Sequence, residues 1–142
     1  MMRTMGIDAG QKRVGVAVSD LMGWTAQGVE TVQRTEDDRW LDRIAQLINE
    51  YEVSSIVVGL PRNMDGSIGE RGEACQSLAR DLEKRFSLPV RMWDERLSTM
   101  AVERTLIEAD MSRKKRRKVV DQMAASWILQ GYLDAQRRNT DE

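Results

Sequence analysis

Apolar and polar positions in the first part of the chain alternate with the two-residue period of extended backbone. Arg3 to Asp8 forms one such run, Ala9-Gly10-Gln11-Lys12 supplies a turn, and Arg13 to Ser19 forms a second run, so a β-hairpin is predicted. Trp24 to Arg34 predicts a third strand, with Gly23 and Gly28 leaving its limits open. From Asp37 to Tyr51 the period changes. Trp40, Leu41, Ile44, Leu47 and Ile48 recur at helical spacing with charged residues between them, the mark of an amphipathic helix.

Ser54 to Leu60 is a continuous apolar run rich in β-branched residues, which fits a strand buried on both faces and ended by Pro61. A polar loop, Arg62 to Ser67, leads to a helix from about Gly69 to Phe86, with Cys75, Leu78, Ala79 and Leu82 on one side. Val90 to Asp94 reads as a fifth strand. Ser98 suits the N-cap of a helix reaching about Ala109, and Ser112 opens a further segment before an apolar helix, Val119 to Leu133. The order β-β-β-α-β-α-β-α predicts an α/β fold with a central five-stranded mixed sheet flanked by helices.

A chain of 142 residues suits one domain, taken as residues 1–138 with a short polar tail at 139–142. Its 41% hydrophobic and 32% charged residues fit a globular protein rather than a disordered or membrane-embedded one. The longest apolar runs, such as Ile56 to Leu60, fall far short of the roughly 20 residues a membrane helix needs, so no span is expected. The N-terminal residues carry no signal-peptide pattern, which points to the cytoplasm. Cys75 is the only cysteine and histidine is absent, excluding an internal disulfide, a Cys/His zinc site and a histidine acid/base dyad. Chemistry here must run on carboxylates, hydroxyls, lysines or a metal.

The net charge of −1 conceals an uneven distribution. Six consecutive basic residues, Arg113, Lys114, Lys115, Arg116, Arg117 and Lys118, offset an otherwise acidic chain: without them 16 basic residues face 23 acidic ones, a balance of −7. Such a run is either a solvated helix end or loop, or a surface for phosphate backbones, where clustered cations release condensed counterions.

Three carboxylates sit where a compact α/β domain brings side chains to one edge of its sheet. Asp8 closes the first strand-like run, Glu95 follows the fifth, and Asp121 lies near the start of the apolar helix, just beyond the basic run. An acidic site beside a basic patch suggests phosphodiester chemistry. Each residue has a plainer reading: Asp8 as a turn residue flanked by Gly6 and Gly10, Asp94 and Glu95 as strand-end charges paired with Arg96, and Asp121 as a helix-dipole partner. Arg96 equally suits a scissile phosphate. Small residues at 124, 125 and 131 let the final helix lie close to the sheet and carry Asp121 towards the strand ends, while Met123, Trp127 and Trp40 read as core. Ile7-Asp8-Ala9-Gly10 is also similar to the first phosphate loop of actin-like ATPases and sugar kinases, but enclosing a nucleotide takes two such domains.

Four ordered motifs resemble the YqgF family of pre-16S rRNA nucleases, also described as Holliday-junction resolvases. They are Gly6 to Gly10 with Lys12 to Asp20; Gly59-Leu60-Pro61 with Asn63 to Ser67; Asp94 to Thr99; and Val120-Asp121 with Ala124-Ala125 and Ile128-Leu129. The resemblance spans nearly the whole chain. It implies a ribonuclease H-like fold, with Asp8, Glu95 and Asp121 as the catalytic carboxylates. Three carboxylates together favour a hard divalent cation, Mg²⁺ or Mn²⁺, and two such ions serve in-line displacement at phosphorus.

Lys12, Arg13, Arg96 and the Arg113 to Lys118 run are the candidate backbone contacts, and Asn63 to Ser67 borders the substrate path. The expected activity is endonucleolytic maturation of the 5′ end of 16S rRNA precursor. A four-way DNA junction is the alternative substrate, and a nucleic-acid-binding factor that acts without cleavage, for example in transcription, is the alternative class. A monomer or weak homodimer is expected, with a stable dimer favouring the junction. Reversing the charge at Arg116 and Arg117 is expected to weaken nucleic-acid binding and to flatten the log–log salt slope by about 1.4 to 1.8; an unchanged slope in a salt titration excludes the patch.

Overall fold

The computed structural model describes residues 3–94 and 113–141, with side chains within the last segment described from Asp121 to Arg137. Five strands, β1 (Arg3–Ala9), β2 (Arg13–Ser19), β3 (Ala26–Gln33), β4 (Val53–Leu60) and β5 (Val90–Asp94), form one sheet in the order β3-β2-β1-β4-β5. β1, β2 and β3 form an antiparallel meander, while β4 and β5 add in parallel to β1. Three described helices, α1 (Trp40–Glu50), α2 (Glu70–Phe86) and α3 (Arg113–Asp141), cover it. None is long and apolar enough to cross a membrane among the described residues.

Strand alternation divides the core into two layers. Met5, Ile7 and Ala9 of β1 and Val14, Val16 and Val18 of β2 join Ile44 and Leu47 of α1 and Leu78 and Leu82 of α2 on one face. On the other, Ala17 and Val57 meet Ala124, Ala125, Ile128, Leu129 and Leu133 of α3. Trp40 is buried, as its spacing predicts, and Trp127 packs against the second layer. Arg43 of α1 grips Glu30 of β3 through two hydrogen bonds of 2.6 and 2.8 Å, which hold the Glu30 carboxyl below its ordinary pKa.

Two features differ from the sequence expectation. The basic run is not a segment apart from the last helix: Arg113 to Lys118 form the opening turns of one continuous α3. The same helix runs through Asp141, so residues 139–141 prolong it where a tail was expected. The helix expected over 98–109 lies outside the described residues.

α3 packs close to the sheet because the contact is made by small residues on both sides. A Cβ on Gly15 would lie 1.9 Å from the Asp121 carbonyl oxygen, and one on Gly6 would lie 2.7 Å from Leu129 Cβ and 2.9 Å from the Ala125 carbonyl. At the far end Gly131 faces Trp93, whose ring also meets Tyr132 edge-on. Because the obstacle at Gly15 is helix backbone, no rotamer change relieves it. Gly15→Ala is therefore expected to lower the unfolding free energy by about 3 kcal/mol or more, read by urea denaturation; a loss under about 1 kcal/mol means that α3 slides freely over the sheet.

Candidate active site

β1, β4 and β5 run in parallel and end together, so Ala9, Leu60 and Asp94 share one edge of the sheet. That carboxyl edge is where open α/β sheets place their ligands. The β1–β2 turn and the 61–69 loop rise from it. Within β1, Gly6 and Asp8 alternate with the core-facing Met5, Ile7 and Ala9, which puts Asp8 on the α3 face. Asp8 pairs in register with Gly15, the residue on which the Asp121 backbone rests. The fold thus brings Asp8 and Asp121 together on one face at one edge, although 113 positions separate them in the chain.

Asp121 is the ninth residue of α3, in its third turn, so the helix-dipole explanation for its position fails. Its carboxylate is held instead by Arg13, whose Nε donates to Oδ2 at 2.8 Å, and both side chains are about three-quarters buried, at 29% and 21% exposure. Arg13, expected to face phosphate, first serves as the counter-charge of this acid. Lys12 is exposed at the tip of the adjoining turn. An open cleft of about 350 Å³ is lined by Gly10, Gln11, Lys12, Arg13, Arg71 and Asp121. Sequence reasoning missed Arg71, though its place just after the loop at the carboxyl end of β4 was a signal for it.

Asn63 also stands at this edge, exposed, but its side chain donates to Ser67 Oγ at 3.0 Å and its backbone closes the loop on Ser67 and Gly66. It shapes the 61–69 loop. Asp94, on the face opposite Asp8, pairs with Arg62 at 3.5 Å. Glu95 and Arg96 lie outside the described residues, as do the side chains of Arg113, Lys114, Lys115, Arg116, Arg117 and Lys118, of which the helix backbone alone is described. Among the described residues no group of three or more acidic, cysteine or histidine side chains gathers. Asp8 and Asp121 supply oxygen donors only, in a chain without histidine, which is the donor chemistry of a hard divalent cation.

The RuvX family model, described as Holliday junction resolvase, matches residues 2–135. The chain belongs to the RuvX family. Proteins named "Putative pre-16S rRNA nuclease" from Bacillus thuringiensis, Bacillus cereus and Bacillus anthracis are each 60% identical to it over 136 residues, covering 94% of this chain and 99% of theirs. This agrees with the YqgF resemblance. Among solved structures, Thermus thermophilus RuvC in complex with Holliday junction substrate matches with a TM-score of 0.55 at 13% identity, covering 97% of both chains. The Fowlpox virus resolvase in complex with Holliday junction DNA matches with a TM-score of 0.55 at 11% identity, covering 95% of this chain and 99% of that one. At such identity the likeness is one of fold: this RuvX family member has the ribonuclease H-like architecture of the resolvases.

The Arg13–Asp121 pair is the one ion pair at this site that joins β2 to α3 among the described residues. A double-mutant cycle with Arg13→Ala and Asp121→Asn in metal-free buffer is expected to give a coupling of about 0.5 to 1 kcal/mol. Additive losses mean that the contact contributes nothing to stability.

Proposed function

We propose that this chain is a metal-dependent endonuclease that hydrolyses phosphodiester bonds and matures the 5′ end of 16S rRNA precursor during ribosome biogenesis. The observation that carries this reading is 60% identity, over 99% of their length, to proteins that bear the pre-16S rRNA nuclease name. The convergence of Asp8 and Asp121 at the carboxyl edge supports it chemically. Asp8 and Asp121, with Glu95 as the residue after β5, are the carboxylates that hold Mg²⁺ or Mn²⁺. A divalent ion at such a site lowers the pKa of the attacking water and neutralises charge on the leaving oxygen.

The chain's own residues position the substrate. Arg13 spends its Nε on Asp121, and a guanidinium carries five N–H donors, so its remaining groups are available to a phosphate oxygen next to that acid. Lys12, at the exposed turn, offers a point charge to the same backbone. The opening turns of α3 add the basic run, with Arg96 beyond β5, and Asn63 holds the loop that walls the edge.

The family description favours a second reading, in which the same site cuts a four-way DNA junction. Symmetric cutting of a junction calls for two sites related by a twofold axis, hence a dimer. The deciding experiment sets labelled precursor 16S RNA beside a synthetic junction, with Mg²⁺ or Mn²⁺, for wild type and Asp8→Asn. Metal-dependent cutting of the RNA is expected, reduced by about two orders of magnitude or more in the variant. Symmetric junction cutting without RNA cutting selects the resolvase, and binding without any cutting selects a non-catalytic factor.

A further inference from the structure

Behind the β1–β2 turn, on the α1/α2 face of the sheet, lies a second cleft of about 260 Å³. Its apolar floor comes from Ala9, Cys75 and Leu78, all buried, and its rim carries Arg34 and Arg71 against the single acid Glu70. This cleft shares Gly10, Gln11 and Arg71 with the cleft that contains Arg13 and Asp121. The two flank the β1–β2 turn at the carboxyl edge of β1: Asp8 faces one side and its neighbour Ala9 the other.

The turn between them is braced rather than loose. Gly10 N–H donates to the Arg13 carbonyl at 2.9 Å, and a Cβ on Gly10 would lie 2.8 Å from that same oxygen. Arg34 N–H donates to the Lys12 carbonyl at 2.9 Å, its Nη1 donates to the Gly10 carbonyl at 2.9 Å, and its guanidinium lies 5.2 Å from the centre of the Trp40 ring. Arg34 is thereby fixed at the rim before any ligand arrives, so little entropy is lost on binding there. Arg71 has no ion-pair partner among the described residues.

From these observations we infer that the cleft is a nucleotide subsite, which takes one unpaired nucleotide of the substrate strand next to the scissile phosphate. The inference rests on the nuclease reading of the adjoining site. An apolar floor receives the face of a base, two rim arginines receive the phosphates on either side of it, and the open end continues into the cleft that holds Asp121. The cleft, about 260 Å³ with Ala9, Cys75 and Leu78 on its floor, suits one base, so on this inference the strand is single or locally unstacked where that base enters. This defines the substrate class: a strand with an unpaired residue at the cleavage point, contacted through one base that leaves the helix.

The test uses oligoribonucleotides spanning the precursor cleavage region, with an abasic ribose placed at each position in turn and kcat/KM measured for wild type, Arg71→Ala and Ala74→Trp. Ala74 is an exposed residue of α2 on the wall of the cleft, so a tryptophan there fills the space without entering the core. At one position beside the cut, loss of the base is expected to lower kcat/KM roughly tenfold. Ala74→Trp is expected to lower the intact substrate as much, with no further loss on the abasic one. Arg71→Ala raises KM on both.

Sensitivity at no position, or losses from base removal and from Ala74→Trp that multiply, overturns the subsite while leaving the nuclease reading intact. If thermal melting shows Ala74→Trp to be unfolded, Ala74→Leu carries the same comparison. If wild type cuts nothing, a 2-aminopurine scan of the same oligomers decides: a fluorescence change at one position, lost in the filled variant, upholds the subsite as the nuclease reading fails. A uniform signal overturns the subsite.

Discussion

The approach of α3 to the sheet at Gly15 is the constraint on which the site depends. The carbonyl oxygen of Asp121 occupies space that any side chain at position 15 would take, so the height and register of the helix over β2 are set by backbone contact. Gly6 and Ala125 repeat the arrangement one strand over, and Ile128 and Leu129 fill the layer between. Interiors packed to this density do not deform gradually. The position of Asp121 relative to Asp8 is thus a property of the scaffold, and neither carboxylate relies on a flexible loop to reach the other's edge.

Bringing carboxylates to one edge raises an electrostatic problem that Arg13 partly solves. Paired at 2.8 Å and only 21% exposed, Asp121 has a cation beside it supplied by the chain itself. Arg13 stands two residues before Gly15 on the same face of β2, so the glycine that admits the helix and the cation that neutralises it belong to one strand. Removing either partner of such a largely buried pair leaves the other charge without its counter-ion, so the loss of one partner costs more than the contact itself contributes.

The architecture was legible because periodicity reports which faces are buried. All five strands and the first two helices fall within a few residues of their expected bounds, and the small residues at 124, 125 and 131 do mark the close face of α3. The extent of α3 was not legible, since six like charges in succession carry no apolar period and read as a break. The role of Arg13 was hidden for a different reason. Its partner lies 108 residues away, and only the register of β1 with β2 and the packing of α3 bring the two together. Arg71 was legible in principle from topology, but a lone arginine on the polar side of an amphipathic helix has no local signature.

The continuity of α3 changes what the basic run can do. Arg113 to Lys118 precede Asp121 on one rigid rod, at about 5 to 12 Å along the helix axis from a rise of about 1.5 Å per residue, comparable to the screening length at physiological salt. Six cations in the opening turns of a helix with no acid in its first turn also oppose the helix dipole, a local cost in the protein alone. On the proposed nuclease reading, an anionic backbone laid across those turns would offset that cost. On the same reading, a strand held by the basic turns would stand at a fixed distance from Asp121, because those turns and Asp121 belong to one rigid helix.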